Sequence, residues 1–341
     1  MELQLKNIGM IKEANVKLDG LTVIAGENDT GKSTVGKGVY LILSFLSDFE
    51  KIQTQRGKEV KNEFKRSSRL PKLIFDNQLS DGAKFSLKIG TQKYEFGIKD
   101  NGITNNDFHS IKIEKNDIKF PIFIETPLVW NLNKFFNQMA NIQSQAGMYG
   151  DELSIDYPFL LKDLHFKLTV GIEKESYSIE EEIKKLIHGE FKRDDMGNFY
   201  FEREKQKISL LNTATGIKYF GIFQVLSQNN YLNVNSVLIL DEPEVHLHPK
   251  WQLKMAEVIV DLVKNGVKVV VNSHSPYMIE ALKRYSDREK RQDETNFYLA
   301  EDGYIHQIDN SNSQTLVSIY EKLSEPYDVF EEMESDRFQN G

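Results

Sequence analysis

Residues 26–33 read Gly26-Glu27-Asn28-Asp29-Thr30-Gly31-Lys32-Ser33, a glycine, four variable residues, then Gly-Lys-Ser. That spacing is the phosphate-loop pattern, and it has meaning only between a strand and a helix. Both flanks qualify: residues 21–25 are an apolar run that reads as a buried strand, and residues 33–46 read as a helix. In such a loop, successive backbone N–H groups wrap a nucleotide's phosphates, helped by the partial positive charge of the helix N-terminus. Lys32 would reach the terminal phosphates and the Ser33 hydroxyl would sit on Mg²⁺. Gly26 and Gly31 let the backbone approach the ligand with no Cβ in the way. Asn28, Asp29, Thr30 and Thr34 complete the expected nucleotide-binding set. A chance match in a glycine-containing turn is the bland alternative, and the flanking elements count against it.

A second constellation lies far downstream. Residues 237–240, Val-Leu-Ile-Leu, run into Asp241 and Glu242. Four apolar residues in a row describe a parallel strand buried on both faces, and ligands in such sheets sit beyond the strands' carboxyl ends. Asp241 would then hold Mg²⁺, and Glu242 would polarise an attacking water as general base, which argues for hydrolysis over mere binding. Residues 269–271, all Val, lead to Asn272-Ser273-His274-Ser275-Pro276, where His274 could hydrogen-bond a terminal phosphate. Asn212-Thr213-Ala214-Thr215-Gly216-Ile217-Lys218 precedes a helix and could form an anion-binding corner; an ordinary N-cap with Thr213 or Thr215 is the competing reading.

These motifs need strands to aim them. Short strands are expected at residues 3–8, 14–18 and 21–25, hairpins across 73–119 with turn signals at Asp81-Gly82 and Asn101-Gly102, and a central strand at 121–125. Residues 128–190 lose the alternation and read as helical, for example at 179–187. Helices are expected at 216–227, with one apolar face, and at 250–263. Strands alternating with helices around a phosphate loop predict an α/β core with a largely parallel sheet.

The chain has 341 residues, 43 Lys and Arg against 51 Asp and Glu, a net charge of -8, and no cysteine. That excludes a disulfide framework and a thiolate metal site. A protein that coats nucleic acid by bulk charge is basic, so any nucleic-acid contact must use a local patch, and the basic stretch 51–72 is the candidate; a solvated loop is the bland reading of it. No run of apolar residues is long enough for a membrane span, and the N-terminus lacks a signal-peptide core. A cytoplasmic protein is the expectation. Glu244, His246 and His248 alternate as zinc ligands could, but the motif they sit in accounts for them without a metal.

Taken in order, the loop at 26–34, the corner at 212–218, the Asp241-Glu242-Pro243-Glu244-Val245-His246-Leu247-His248-Pro249 run and the strand end at 272–276 resemble the ABC-class ATPases. Within that class they resemble the SMC, RecF and OLD-like branch, and there the small stand-alone bacterial type. The resemblance implies an ATPase head, with residues 1–127 as its N-terminal part carrying an antiparallel β-subdomain. It also implies a mainly helical insertion at 128–195 and a C-terminal part at 196–341. ATP and Mg²⁺ are the implied cofactors. Two heads would pair face to face as a homodimer or larger homo-oligomer, each ATP lying between one phosphate loop and the other head's corner at Thr215 and Gly216. The usual serine of that corner falls on Ala214. A sensing glutamine that usually follows the hairpins has no counterpart, since that strand ends Glu125-Thr126-Pro127. His248 reads as a contact across the dimer or to the switch region. The insertion lacks the length and heptads of a coiled-coil arm, and no nuclease-type acid cluster follows His274. The function implied is an ATP-hydrolysing switch that controls a separately encoded effector, in anti-phage defence or a toxin-like system. Alternatives are a RecF-like DNA-repair ATPase and a non-hydrolysing ATP-bound scaffold.

Overall fold

The computed structural model describes residues 1–54, 69–76, 78–100, 102–104, 120–148, 158–173 and 178–339, with the side chains of 50–54, 146–148 and 327–339 left aside. The basic stretch 51–72 therefore falls largely outside the described residues.

Strands β1 (Glu2–Ile8), β2 (Ile11–Lys17) and β3 (Leu21–Ala25) precede helix α1 (Lys32–Thr54) and the short α2 (Leu70–Phe75). Strands β4 (Lys84–Ile89), β5 (Gln92–Lys99), β6 (Gly102–Thr104) and β7 (Phe120–Ile124) follow, then helices α3 (Asn133–Met148), α4 (Phe159–Thr169) and α5 (Glu180–Ile187). Next come β8 (Glu190–Arg193), β9 (Phe199–Arg203) and β10 (Gln206–Ser209), and helix α6 (Thr215–Gln228). The chain continues through β11 (Ser236–Asp241), α7 (Pro249–Lys264), β12 (Lys268–Ser273), α8 (Pro276–Arg288), β13 (Thr295–Glu301), β14 (Tyr304–His306) and α9 (Asn312–Gln339).

The fold is α/β. One sheet runs β6-β5-β4-β1-β2-β14-β13-β3-β12-β11-β7, and β10-β9-β8 form a small separate antiparallel sheet. The block β13-β3-β12-β11-β7 is parallel throughout, and the β6-β5-β4-β1-β2 wing is antiparallel. Of the hairpins expected over 73–119, β4, β5 and β6 form an antiparallel extension of the main sheet, residues 73–75 belong to α2, and 105–119 lie outside the described residues. The small sheet straddles residue 195, because β8 pairs with β9.

Two cores lie on the two faces of the parallel block, and the pleat sorts residues between them. Leu238 and Leu240 join one core with α6, α7 and α8, while Val237 and Ile239 join the other with α1. That two-sided burial is why β3, β11 and β12 read as unbroken apolar runs. Gly36 lets α1 lie close on the sheet, since a Cβ there would sit 3.0 Å from Ile239 and 3.1 Å from Asn272.

Two expectations change. The 121–125 strand, expected to be central, is the last strand in the described order of the sheet. It is apolar because its faces pack against α1 and α4, and Pro121 is tolerable at a sheet edge. Helix α6 has no single apolar face: Lys218 to Ser227 are buried without a break, as expected of a helix covered on all sides. It packs against α4, α5 and β8 and shares a core with the main sheet and α7. Among the described residues no helix is long and apolar enough to cross a membrane.

Candidate functional site

Register brings the site together. Ala25 ends β3 opposite Ser273 of β12, and Asn272 of β12 stands opposite Asp241 of β11. The strands are parallel, so the three segments that leave them share one edge of the sheet. Those segments are the loop 26–33, the Asp241-Glu242 step and the 272–276 turn.

The loop takes the shape its glycines allow. Gly31 has φ +92°, and a Cβ there would meet Ile11 Cδ1 at 2.4 Å. At Gly26 a Cβ would meet the Ala300 carbonyl oxygen at 2.4 Å. Asp29, also at positive φ, completes the turn. Lys32, the first residue of α1, is buried. Its Nζ donates to the carbonyls of Gly26 (3.0 Å) and Glu27 (2.5 Å). Burial holds the Lys32 ammonium below its usual range, opposed by the nearby carboxylates of Glu242, Asp241, Glu244 and Glu27. The ammonium therefore stands inside a ring of negative charge, at the mouth of a loop of N–H donors.

Ser33 Oγ donates to Asp241 Oδ1 at 3.0 Å, and Asn272 Nδ2 donates to the same oxygen at 2.8 Å. Asp241 is raised above the usual carboxylate range by burial, while the Asn272 and Ser33 hydrogen bonds pull the other way. A hydroxyl and a carboxylate so close together offer the hard oxygen donors that Mg²⁺ takes. The donor set thus fits the metal implied by the motif.

Glu242 has φ +48°, a left-handed backbone that costs a non-glycine residue roughly 1–3 kcal/mol. Its N–H donates to the Asn272 carbonyl at 2.9 Å. The turn throws its side chain clear of the strand, one-third exposed, with Oε1 3.3 Å from His274 Nδ1. Lys32, Ser33, Asp241, Glu242 and His274 thus lie together in one place.

Glu244, His246 and His248 do three different things. Glu244 turns inward and is 4% exposed. His246 is exposed at φ +64°. His248 caps α7, its Nδ1 accepting from the Lys250 N–H at 3.3 Å. Among the described residues no trio of His, Cys, Asp and Glu is placed to hold a metal.

Thr215 and Gly216 are the first two residues of α6. Ala214 is the N-cap of α6, with no side-chain cap, and Thr213 Oγ1 instead donates to the Ser209 carbonyl at 3.0 Å. The ordinary threonine cap is therefore absent, and the first N–H groups of the helix have no side-chain partner. Gly216 packs under the loop after β11, since a Cβ there would lie 2.9 Å from Leu247 Cδ2. Glu125 is exposed just past β7, where the resembled family has its glutamine, and Gln78 lies in the turn after α2.

Sequence reasoning gave no role to Asn272, Glu244 or Gln252. Glu244 stood in a motif already noticed. Gln252 is a polar residue inside a helix, and nothing in its neighbours marks it as buried.

Residues 215–280 match the family "AAA domain, putative AbiEii toxin, Type IV TA system". The chain is 20% identical to a retron Vc95 probable ATPase of Vibrio cholerae serotype O1 biovar El Tor, over 76% of this chain and 66% of that protein. It is 36% identical to the Septu protein PtuA of Bacillus thuringiensis over 13% of this chain and 11% of that protein. The alignments therefore span just under two thirds of the first relative and about a tenth of the second. Similar solved structures include an SMC head bound to the C-winged helix domain of ScpA (TM-score 0.47, 14% identity, 89% of this chain and 95% of that one). The recombination mediator RecF with an ATP analogue is another (TM-score 0.45, 12% identity, 89% and 96%). The family description names an AAA domain and the first relative is described as a probable ATPase.

Proposed function

We propose that this chain is an Mg²⁺-dependent ATP-hydrolysing switch whose heads pair through ATP and control a separately encoded partner. The observation that carries the reading is the closeness of Glu242 Oε1 to His274 Nδ1, 3.3 Å apart, beside the Ser33–Asp241 contact and near Lys32 of the phosphate loop. Lys32 and the loop's N–H groups bind the β- and γ-phosphates. Mg²⁺ on Ser33 and Asp241 would neutralise phosphate charge. Glu242, aimed outward by its left-handed backbone, takes the proton of the attacking water, and His274 holds the γ-phosphate end in register. Thr215 and Gly216, at the uncapped N-terminus of α6, serve a second head's nucleotide. The likeness to a retron ATPase, a Septu protein and a toxin–antitoxin family supports a setting in bacterial defence.

Glu242→Gln tests the reading. The amide keeps the shape and loses the base, so turnover should fall by about a hundredfold or more while ATP binding persists. The trapped protein should run as an ATP-dependent dimer in light scattering. Wild-type turnover by this variant would remove Glu242 from the chemistry.

A further inference from the structure

We infer that Glu244 is a positioning residue for His274, holding the turn that carries the histidine as one rigid piece with the loop after β11. The inference rests on the ATPase reading above and adds to it a residue that no motif role covers.

One carboxylate oxygen does the holding. Glu244 Oε1 accepts from Ser273 Oγ at 2.7 Å, from the His274 N–H at 2.9 Å and from the Ser275 N–H at 3.2 Å. Three donors from three successive residues thus converge on a single atom, from a side chain thirty residues away in sequence. Hydrogen bonds to an ionised acceptor are roughly twice as strong as neutral ones. Among the described residues Glu244 forms no salt bridge with Lys or Arg; burial pushes its carboxyl above the usual range, and these donors pull the other way. Its other oxygen, Oε2, is buried without a hydrogen-bond partner, as is the neighbouring Tyr219 hydroxyl.

A second brace closes the turn from the other side. Ser275 Oγ donates to Gln252 Oε1 at 2.7 Å, and Gln252 Nε2 donates to the Leu247 carbonyl at 3.1 Å. Together the two braces join the 273–275 turn to both ends of the 244–247 loop. The His274 ring is the only part of that turn left free to act. Its Nδ1 lies 3.3 Å from Glu242 and 3.7 Å from Glu244, and forms an aligned hydrogen bond with neither. The ring is thus aimed by its backbone, and the backbone is aimed by Glu244.

A double-mutant cycle separates positioning from plain structural support. Glu244→Gln leaves the size unchanged but replaces the charged acceptor and places an amide where Oε2 was. We expect kcat for ATP to fall by roughly tenfold to a hundredfold, the scale of an ångström-level misplacement. Affinity for a fluorescent ATP analogue should stay within about twofold. In a His274→Ala background, Glu244→Gln should lower kcat no further, because there is nothing left to aim. Should Glu244→Gln fail to fold, Ser273→Ala removes one donor and leaves the carboxylate in place. It should lower kcat in the same direction, and again only when His274 is present. Wild-type kcat in the single variants, or losses that multiply in the double variants, would overturn the inference. A wild-type chain with no turnover would instead sink the ATPase reading, and this inference with it.

Discussion

On the function proposed, Lys32 is the residue on which nucleotide binding turns. Its ammonium is buried, bonded to two carbonyls of its own loop and surrounded by four carboxylates. Exchanging two carbonyl contacts for phosphate oxygens costs the lysine little, because it already sits desolvated where the charge is needed. Lys32→Ala removes a charge-assisted contact worth about 1.5–3 kcal/mol, so affinity for a non-hydrolysable ATP analogue should drop by roughly ten- to a hundredfold in titration calorimetry. Unchanged affinity would place the phosphates elsewhere. This residue was legible from spacing alone, as were Ser33 and Asp241. Glu244 was not. A carboxylate that serves a turn thirty residues downstream leaves no local trace, since what it does depends on two strands lying side by side. Gly216 shows the same limit. The corner motif assigns it to a partner's phosphate, but the fold also sets it against Leu247 of its own chain. A bulky change there disturbs both, and cannot by itself report on pairing.

At the scale of elements, α6 links the corner at its N-terminus to the small sheet packed along its side. Gly221, in the middle of this helix, is where Phe191 enters. A Cβ at 221 would lie 2.3 to 2.6 Å from three atoms of that ring. The ring has nowhere to go, being buried and stacked on Trp130 with centroids 5.2 Å apart. Two effects compete in Gly221→Ala. Helix propensity favours alanine by about 1 kcal/mol, and overpacking a filled core costs about 1–3 kcal/mol. The clash involves several ring atoms and should win, giving a net loss of about 1–2 kcal/mol and a lower urea midpoint with an unchanged slope. A higher midpoint would mean that β8 is free to shift. Strands were easier to read than this helix. Residues 21–25, 237–240 and 269–271 are apolar at every position but Thr22, whose hydroxyl donates to the Lys17 carbonyl, because both faces of the sheet are covered, and that signature survives in a single sequence. Helix α6 carries Lys218, Gln224 and Ser227 in buried positions. Each is excused by a specific partner: Asn131 for Lys218, the Phe191 N–H for Gln224 and the Ile179 N–H for Ser227. Such long-range pairs make a buried helix look half-polar. The strand at 120–124 misled in the opposite way, since its apolar composition reflects covering helices and not a central place in the sheet.

For the whole molecule, the question is whether one chain holds a complete site. The phosphate loop, Asp241, Glu242 and His274 meet within one head, while Thr215 and Gly216 open helix α6 with no side-chain cap on its N-terminus. If a second head supplies the corner, each nucleotide site draws on two chains, and a two-fold dimer has two such sites. Lys32→Ala kills a site through its loop, and Thr215→Glu should kill one through its corner, by placing a carboxylate beside a phosphate. Thr215 is the better choice than Gly216, because it avoids the Leu247 contact within the chain. Each variant alone should be inactive. Mixed in equal amounts, half of the randomly formed dimers pair one of each. Such a dimer has one site with both defects and one with neither, so about a quarter of the wild-type rate should return. Recovery on mixing cannot arise from heads that work alone. No recovery, with Thr215→Glu still binding ATP and dimers still forming, would mean that residues 215 and 216 only start a helix. Wild-type hydrolysis by Thr215→Glu as a monomer would carry the same message more directly.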